Sequence, residues 1–107
     1  MSLDVKLIAV RRTMVFDANI THNLNEMAEQ AGIYEYLWHP EKIGIKTAGE
    51  LVVPLIKGLK IMMVNPTHFK KYDSPNGWGT YEDFVPWIKR YLDACKENPD
   101  AEIEVSR

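Results

Sequence analysis

Strand-type sequence stands near the two ends of this chain, and the long stretch between them carries helix signals. Residues 5–20 are rich in β-branched and aromatic side chains around a polar Arg11-Arg12-Thr13, and this pattern predicts a β-hairpin. Residues 101–105 alternate apolar and acidic side chains, as a half-buried strand does. We therefore predict one three-stranded antiparallel sheet in which both ends of the chain meet.

Three helices are predicted between these strands, because capping residues recur at helix-start spacing. Gly32 is placed to close the first helix, and Asn65-Pro66 is placed to end the second. The third helix is expected to run to about Glu97. We predict an α+β fold in the order ββαααβ, with the three helices packed on one face of the sheet. The caps pair Asn23 with Glu26, Thr47 with Glu50 and Thr80 with Asp83, and Thr21 competes with Asn23.

Segments 47–66 and 80–99 are similar to each other, since both begin with Thr and close on Asn-Pro. We interpret the similarity as two capped helices ending alike rather than as a duplication.

Length and composition favour one small cytoplasmic domain over residues 1–107. With 46% apolar and 26% charged residues, the chain matches ordinary globular proteins, and no apolar run is long enough for a membrane span. The single cysteine, Cys95, fits a reducing compartment. A net charge of −2 gives no positive field for nucleic acid. We give no weight to residues 1–3, which a cloning vector could have contributed.

Two polar segments are candidate ligand sites, and both precede predicted helices. The first lies between a strand and a helix and contains Asn19, Thr21, His22 and Asn23. The second is Asn-Gly-Trp-Gly-Thr-Tyr, where glycines can let a backbone approach a ligand that stacks on the indole. For both segments we favour structural roles: caps and strand ends in the first, and an indole lid on the core in the second. The second set of candidate site residues is Asn76, Trp78 and Tyr81.

No familiar catalytic fingerprint occurs in the chain. There is no P-loop, dinucleotide glycine signature or nucleophile elbow, and the histidines lack the spacing of a local metal site. Cys95 falls on the apolar stripe of the third helix, which favours core packing over nucleophilic chemistry. We predict no catalytic residues, no metal and no cofactor.

The predicted helix at 48–64 is apolar on more than one side. Val53, Ile61 and Val64 lie nearly opposite its main apolar face at 100° per residue. Our leading hypothesis is therefore a non-enzymatic binding or adaptor protein that uses this helix for a protein partner or for a homodimer. The alternative is a small-ligand binder or small enzyme, with a pocket between the helix starts near His22 and Trp78.

Three segments resemble a family of small bacterial and phage-associated proteins. They are NITHNLNEM at 19–27, PNGWGTYEDF at 75–84 and ACKENPDAEIEVSR at 94–107. The resemblance implies a compact fold and a phage-related setting, and it brings no activity, ligand or cofactor. It directs attention to Asn19, Thr21, Asn23, Asn76, Trp78 and Tyr81.

Overall fold

Three antiparallel strands form the sheet, with β1 in the centre. The computed structural model describes residues 1–9 and 12–107, so Val10 and Arg11 of the predicted hairpin turn lie outside the described residues. The strands are β1 (Ser2–Ile8), β2 (Met14–Thr21) and β3 (Glu102–Ser106). Their spatial order is β2-β1-β3. The predicted hairpin and the predicted last strand are thus confirmed.

Register in the sheet follows the apolar pattern of the strands. Leu3 pairs with Ile20 across β1 and β2, and Val5 pairs with Val105 across β1 and β3. These side chains point toward the helices, because successive residues of a strand face opposite sides of the sheet. Although the sequence of residues 1–3 carries no strong signal, Leu3 is fully buried.

The described chain contains five α-helices, and the three that were predicted are the first, third and fifth. The two additional helices are short, and each occupies a segment where helix signals are weak. The bounds are α1 (Asn25–Gln30), α2 (Tyr34–Trp38), α3 (Val52–Val64), α4 (Pro66–Lys70) and α5 (Tyr81–Glu97). Short 3-10 turns at 22–24 and 48–51 lead into α1 and α3.

Capping residues fix the helix starts much as the sequence predicts. Thr80 Oγ1 accepts a hydrogen bond from the Asp83 N–H at 3.2 Å. At the first helix Thr21 takes the capping role, since its Oγ1 accepts from the Asn23 N–H at 3.3 Å. Asn23, the other candidate cap, uses its side chain elsewhere.

Proline ends two of the helices in the same way. Asn65 and Asn98 each precede a proline and leave the helical region, with φ near −130°. Each side-chain amide then donates to the carbonyl four residues back, Ile61 O at 3.2 Å and Ala94 O at 3.0 Å. The residue before proline is sterically kept out of the α region, which explains why both helices stop there.

The core lies between the helices and one face of the sheet. Buried side chains from β1, α1, α3 and α5 meet in it, and Tyr91 and Phe84 are among the largest that are fully buried. The opposite face of the sheet carries polar side chains, among them Asp4, Lys6, Asp17 and Glu104. Within the described ranges no helix combines the length and apolarity needed to cross a membrane.

Candidate functional site

An open cleft of about 840 Å³ lies where the end of β2 meets the loop before α5. One wall comes from the end of β2 and the turn into α1, and the other from residues 76–79. The cleft brings together two chain segments that the sequence separates by about fifty residues. Its lining includes the predicted site residues Asn19, Thr21, His22, Asn23, Asn76 and Trp78, and also Met1, Ser2, Ile20, Leu24, Gly77, Gly79 and Asp83.

Direct contacts hold the two walls side by side. Asn23 Nδ2 donates a hydrogen bond to the Trp78 carbonyl oxygen at 2.8 Å. Gly79 has φ +109°, and a Cβ built on it would stand 3.1 Å from Asn23 Cβ and 3.1 Å from Thr21 Cγ2. Only glycine fits this position without strain, because both the backbone angle and the space exclude a side chain. The walls are therefore packed against each other at Gly79.

Asn76 shapes the loop that carries the indole. Its Oδ1 accepts from Ser74 Oγ at 2.6 Å and from the Trp78 N–H at 2.9 Å, so the side chain replaces a backbone partner inside a tight turn. Gly77 supplies the left-handed residue of this turn, with φ +79°. The loop is thus fixed by its own hydrogen bonds.

Trp78 points outward, and the expected indole lid on the core is wrong. Its side chain is 69% exposed, whereas Trp38 and Trp87 are buried. The physical reason is that the backbone of the loop, through Gly79, already fills the space against the end of β2 and the 3-10 turn at 22–24. The indole is left at the rim of the cleft.

The cleft asparagines are each anchored at one end. Asn19 Nδ2 donates to Ser2 Oγ at 2.8 Å and to Asp4 Oδ1 at 2.7 Å, and Asn23 is anchored by its Nδ2 as described. Among the described residues, nothing binds Asn19 Oδ1, Asn23 Oδ1 or Asn76 Nδ2. The cleft therefore presents two amide acceptors and one amide donor on side chains that are already held in position.

His22 lines the cleft but turns part of its ring inward. The residue is half-buried, its ring packs edge-on against Trp38 with centroids 6.1 Å apart, and its Nε2 is covered by protein. Within the described chain Nε2 has no hydrogen-bond partner. A ligand in the cleft cannot exchange a proton with a covered nitrogen, so Nε2 is not placed as a general base.

Tyr81 does not line the cleft. Its hydroxyl donates to the Met62 carbonyl at 3.0 Å, and its N–H donates to Asp73 Oδ1 at 2.7 Å. It ties α5 to α3, next to the Lys70 ammonium 5.8 Å from its ring centroid. Although Tyr81 is close to Trp78 in the sequence, it is therefore not part of the cleft lining.

The sequence did not predict several residues of the cleft lining, and the same reason applies to each of them. Ser2 reaches the cleft because it pairs with Thr21 across the hairpin, and Asp83 reaches it from the first turn of α5. No local signal placed either residue in the cleft, since the cap of Thr80 with Asp83 indicates only a helix start, and the rest depends on strand register and on how α5 packs. The glycines on either side of Trp78 are the sequence signal that indicated a close approach of the backbone to another group.

The charged side chain in the described lining of the cleft is acidic. Asp83 contributes a carboxylate, and no Lys or Arg side chain occurs among the described lining residues. Phosphate groups in proteins are normally held by cationic side chains or by helix starts without nearby acids. The cleft suits a neutral ligand better than a phosphorylated one.

Nucleophilic or metal chemistry has no support elsewhere in the described structure. Cys95 is fully buried, and burial raises the pKa of its thiol to about 12, so it stays protonated near neutral pH. Within residues 1–9 and 12–107, no three His, Cys, Asp or Glu side chains gather in a way that could hold a metal ion.

No protein-family model, curated protein or solved structure matches the chain. The resemblance to phage-associated proteins therefore stays a prediction that depends on the quoted segments. The proposed function therefore depends on the geometry of the cleft.

Proposed function

We propose that this protein is a non-enzymatic binding module whose cleft holds a neutral, hydroxyl-rich ligand, such as a sugar ring, against Trp78. The observation that carries the proposal is an indole 69% exposed at the rim of a cleft whose amide side chains are already anchored. An exposed Trp on a fixed loop offers a large apolar surface. The adjacent amides offer directional hydrogen bonds.

The ligand class follows from what each wall provides. The C–H face of a sugar ring can stack on an indole, while its hydroxyl groups both donate and accept. Asn19 Oδ1 and Asn23 Oδ1 would accept from such hydroxyls, and Asn76 Nδ2 would donate to one. Because these side chains are held before binding, little conformational entropy is lost when a ligand arrives.

Trp78 is also the residue with which to test the proposal. We expect neutral mono- and oligosaccharides to shift the Trp78 indole resonance in a ¹H–¹⁵N NMR titration, and nucleoside phosphates to leave it unchanged. Trp78→Ala should weaken saccharide binding at least tenfold, about 1.4 kcal/mol. It should leave the unfolding free energy within about 0.5 kcal/mol, because the side chain is on the surface.

Val15→Ala is a suitable control, since Val15 is also an exposed apolar residue, 40% exposed, outside the cleft lining. It should leave the titration as in the wild type. Binding that survives in Trp78→Ala, or a saccharide panel that moves no resonance of the cleft, would contradict the proposal.

The rival function, a small enzyme in the same cleft, would need an accessible proton acceptor or nucleophile. The covered Nε2 of His22 does not supply one, so the exposed Asp83 carboxylate would be the candidate acceptor. The other candidate, an adaptor that binds protein through the helix at 48–64, is favoured by the exposed apolar residues of α3.

A further inference from the structure

The outward face of α3 carries exposed apolar residues with Lys57 and Lys60 among them. At 100° per residue, Val53 and Val64 fall on one narrow arc, with Ile61 to one side. Their exposed fractions are 60%, 74% and 44%. Met63, elsewhere on α3, is 51% exposed as well. Large exposed apolar residues grouped on one side of a helix usually mark an interaction site.

This apolar surface continues from α3 onto α2. A groove of about 230 Å³ runs beside α3 and is lined by Tyr36, Val53 and Ile61, among others. A neighbouring cleft of about 520 Å³ shares Gly32 and Tyr36 with that groove and extends to Ile43, which is 42% exposed. We call the continuous surface formed by Tyr36, Ile43, Val53, Ile61 and Val64 the α3 face.

The α3 part of this face carries basic side chains, and the part around α2 carries acidic ones. Lys57 lines the groove on the α3 side, with Lys60 next to it along the exposed arc, and Glu29 and Glu35 line the cleft on the α2 side. The ion pairs found in the described chain involve Arg12, Lys70 and Arg107, and none includes these four residues. The face thus carries a basic half and an acidic half.

We propose that the α3 face binds a second copy of this chain as a twofold symmetric dimer. In a twofold interface the same patch serves both subunits, so a contact between two different residues occurs twice. A patch with a basic half and an acidic half is self-complementary under that operation, because the Lys57 side of each copy meets the Glu29 and Glu35 side of the other. The apolar residues between them supply the buried area.

This inference does not depend on ligand binding in the cleft, since Trp78 lies outside the α3 face. The two proposals can therefore fail separately. Trp78→Ala should weaken saccharide binding at least tenfold and leave the oligomeric state unchanged.

Analytical ultracentrifugation across a range of concentrations tests the dimer. We expect the wild type to approach twice the 12.4 kDa of the chain as concentration rises. Val64→Asp should remain at the monomer mass, with a dissociation constant raised at least tenfold. The matched control is Val15→Asp, which places the same change on an exposed valine of β2 and should dimerise as the wild type does.

A charge-reversal experiment tests the pairing itself. One variant carries Lys57→Glu and Lys60→Glu, and the other carries Glu29→Lys and Glu35→Lys. Each alone should be monomeric, because like charges then meet twice in the interface. Mixed in equal amounts, they should form a heterodimer, because both contacts are attractive again.

A wild type that stays monomeric at every concentration would overturn the proposal. So would a mixture of the two variants that does not associate although both are folded by circular dichroism, or a Val15→Asp control that dissociates as readily as Val64→Asp. A face that binds a different protein while the wild type stays monomeric counts against the proposal in the same way.

Discussion

The hydroxyl group of Tyr91 is enclosed in the core without a hydrogen-bond partner among the described residues. Its ring stacks on Phe16, with centroids 5.8 Å apart, so packing rather than hydrogen bonding holds it. Burial, with a smaller contribution from the neighbouring Cys95, raises the pKa of Tyr91 above its ordinary value of 10.0. A buried polar group left unpaired lowers stability.

Removing that hydroxyl should therefore stabilise the protein. We expect Tyr91→Phe to raise the free energy of unfolding by about 1 kcal/mol near neutral pH. Because the pKa of Tyr91 is raised in the folded state, the unfolded chain loses the phenol proton first. The wild type therefore loses stability as the pH rises above 10, and the advantage of phenylalanine should grow there. Urea unfolding at two pH values measures both effects.

Tyr81→Phe is the control for that experiment, because the Tyr81 hydroxyl donates to Met62 O at 3.0 Å. Losing a satisfied hydrogen bond should lower stability by about 1 kcal/mol. Equal effects of the two substitutions would show that the Tyr91 hydroxyl has a partner after all.

Gly58 is a second residue whose role depends on close packing. It is buried in α3, and a Cβ built on it would stand 2.4 Å from Ile33 Cγ2. Alanine normally favours a helix over glycine by about 1 kcal/mol, but overpacking a core costs about 1–3 kcal/mol. We expect Gly58→Ala to be net destabilising, as measured by thermal or urea unfolding.

The partner residue provides the check on this expectation. In Gly58→Ala combined with Ile33→Ala, the added methyl group occupies space that the isoleucine has left. The double variant should therefore lose less stability than the sum of the two single variants. If the stability losses of the two single variants simply add, contact with Ile33 is not the reason that Gly58→Ala is destabilising.

At the scale of the element, Glu50 stabilises the start of the third helix. Its Oε1 accepts from the backbone N–H groups of Thr47 at 3.1 Å and Lys46 at 3.2 Å, and from the Thr47 hydroxyl at 3.0 Å. The Thr47 N–H, the Lys46 N–H and the Thr47 hydroxyl, in that order, hold the pKa of Glu50 below its ordinary value of 4.5. The carboxyl group of Glu50 is therefore ionised at neutral pH, where it accepts these hydrogen bonds.

The sign of the pH effect follows from the lowered pKa. The stability that Glu50 contributes is present above pH 4.5 and is lost as the pH falls through the lower folded-state pKa. We expect Glu50→Gln to lower the melting temperature at pH 7 and to approach the wild type in acid. Glu97→Gln, at the last residue of α5, should show no such convergence in parallel melting curves.

At the scale of the element, a helix boundary could be predicted from the sequence where a single residue determines it. Thr80 and Asn65-Pro66 act locally, through one hydroxyl and one proline ring, and their effects are confirmed. The choice between Thr21 and Asn23 as cap was not decidable locally. It depends on Trp78, to which the Asn23 side chain reaches from across the fold.

At the scale of the whole molecule, the sheet and the helices that cover it could be predicted from alternating apolar residues and from helix caps. The cleft could not be predicted in this way. Trp78 could be singled out as conspicuous, but its outward orientation depends on how tightly Gly79 packs against Thr21. Tyr81 has the same local context and turns to Met62 instead. A site made by two distant segments requires their relative position, which no local pattern contains.

The central place of β1 also has a consequence for the order in which this chain can mature on the ribosome. β1 leaves the ribosome long before β3, which pairs with one of its two edges. Contacts between such distant segments form slowly, because a long loop must close first. A nascent chain arrested before residue 102 should therefore carry an unsaturated strand edge, which is the kind of surface that chaperones bind and that aggregates begin from.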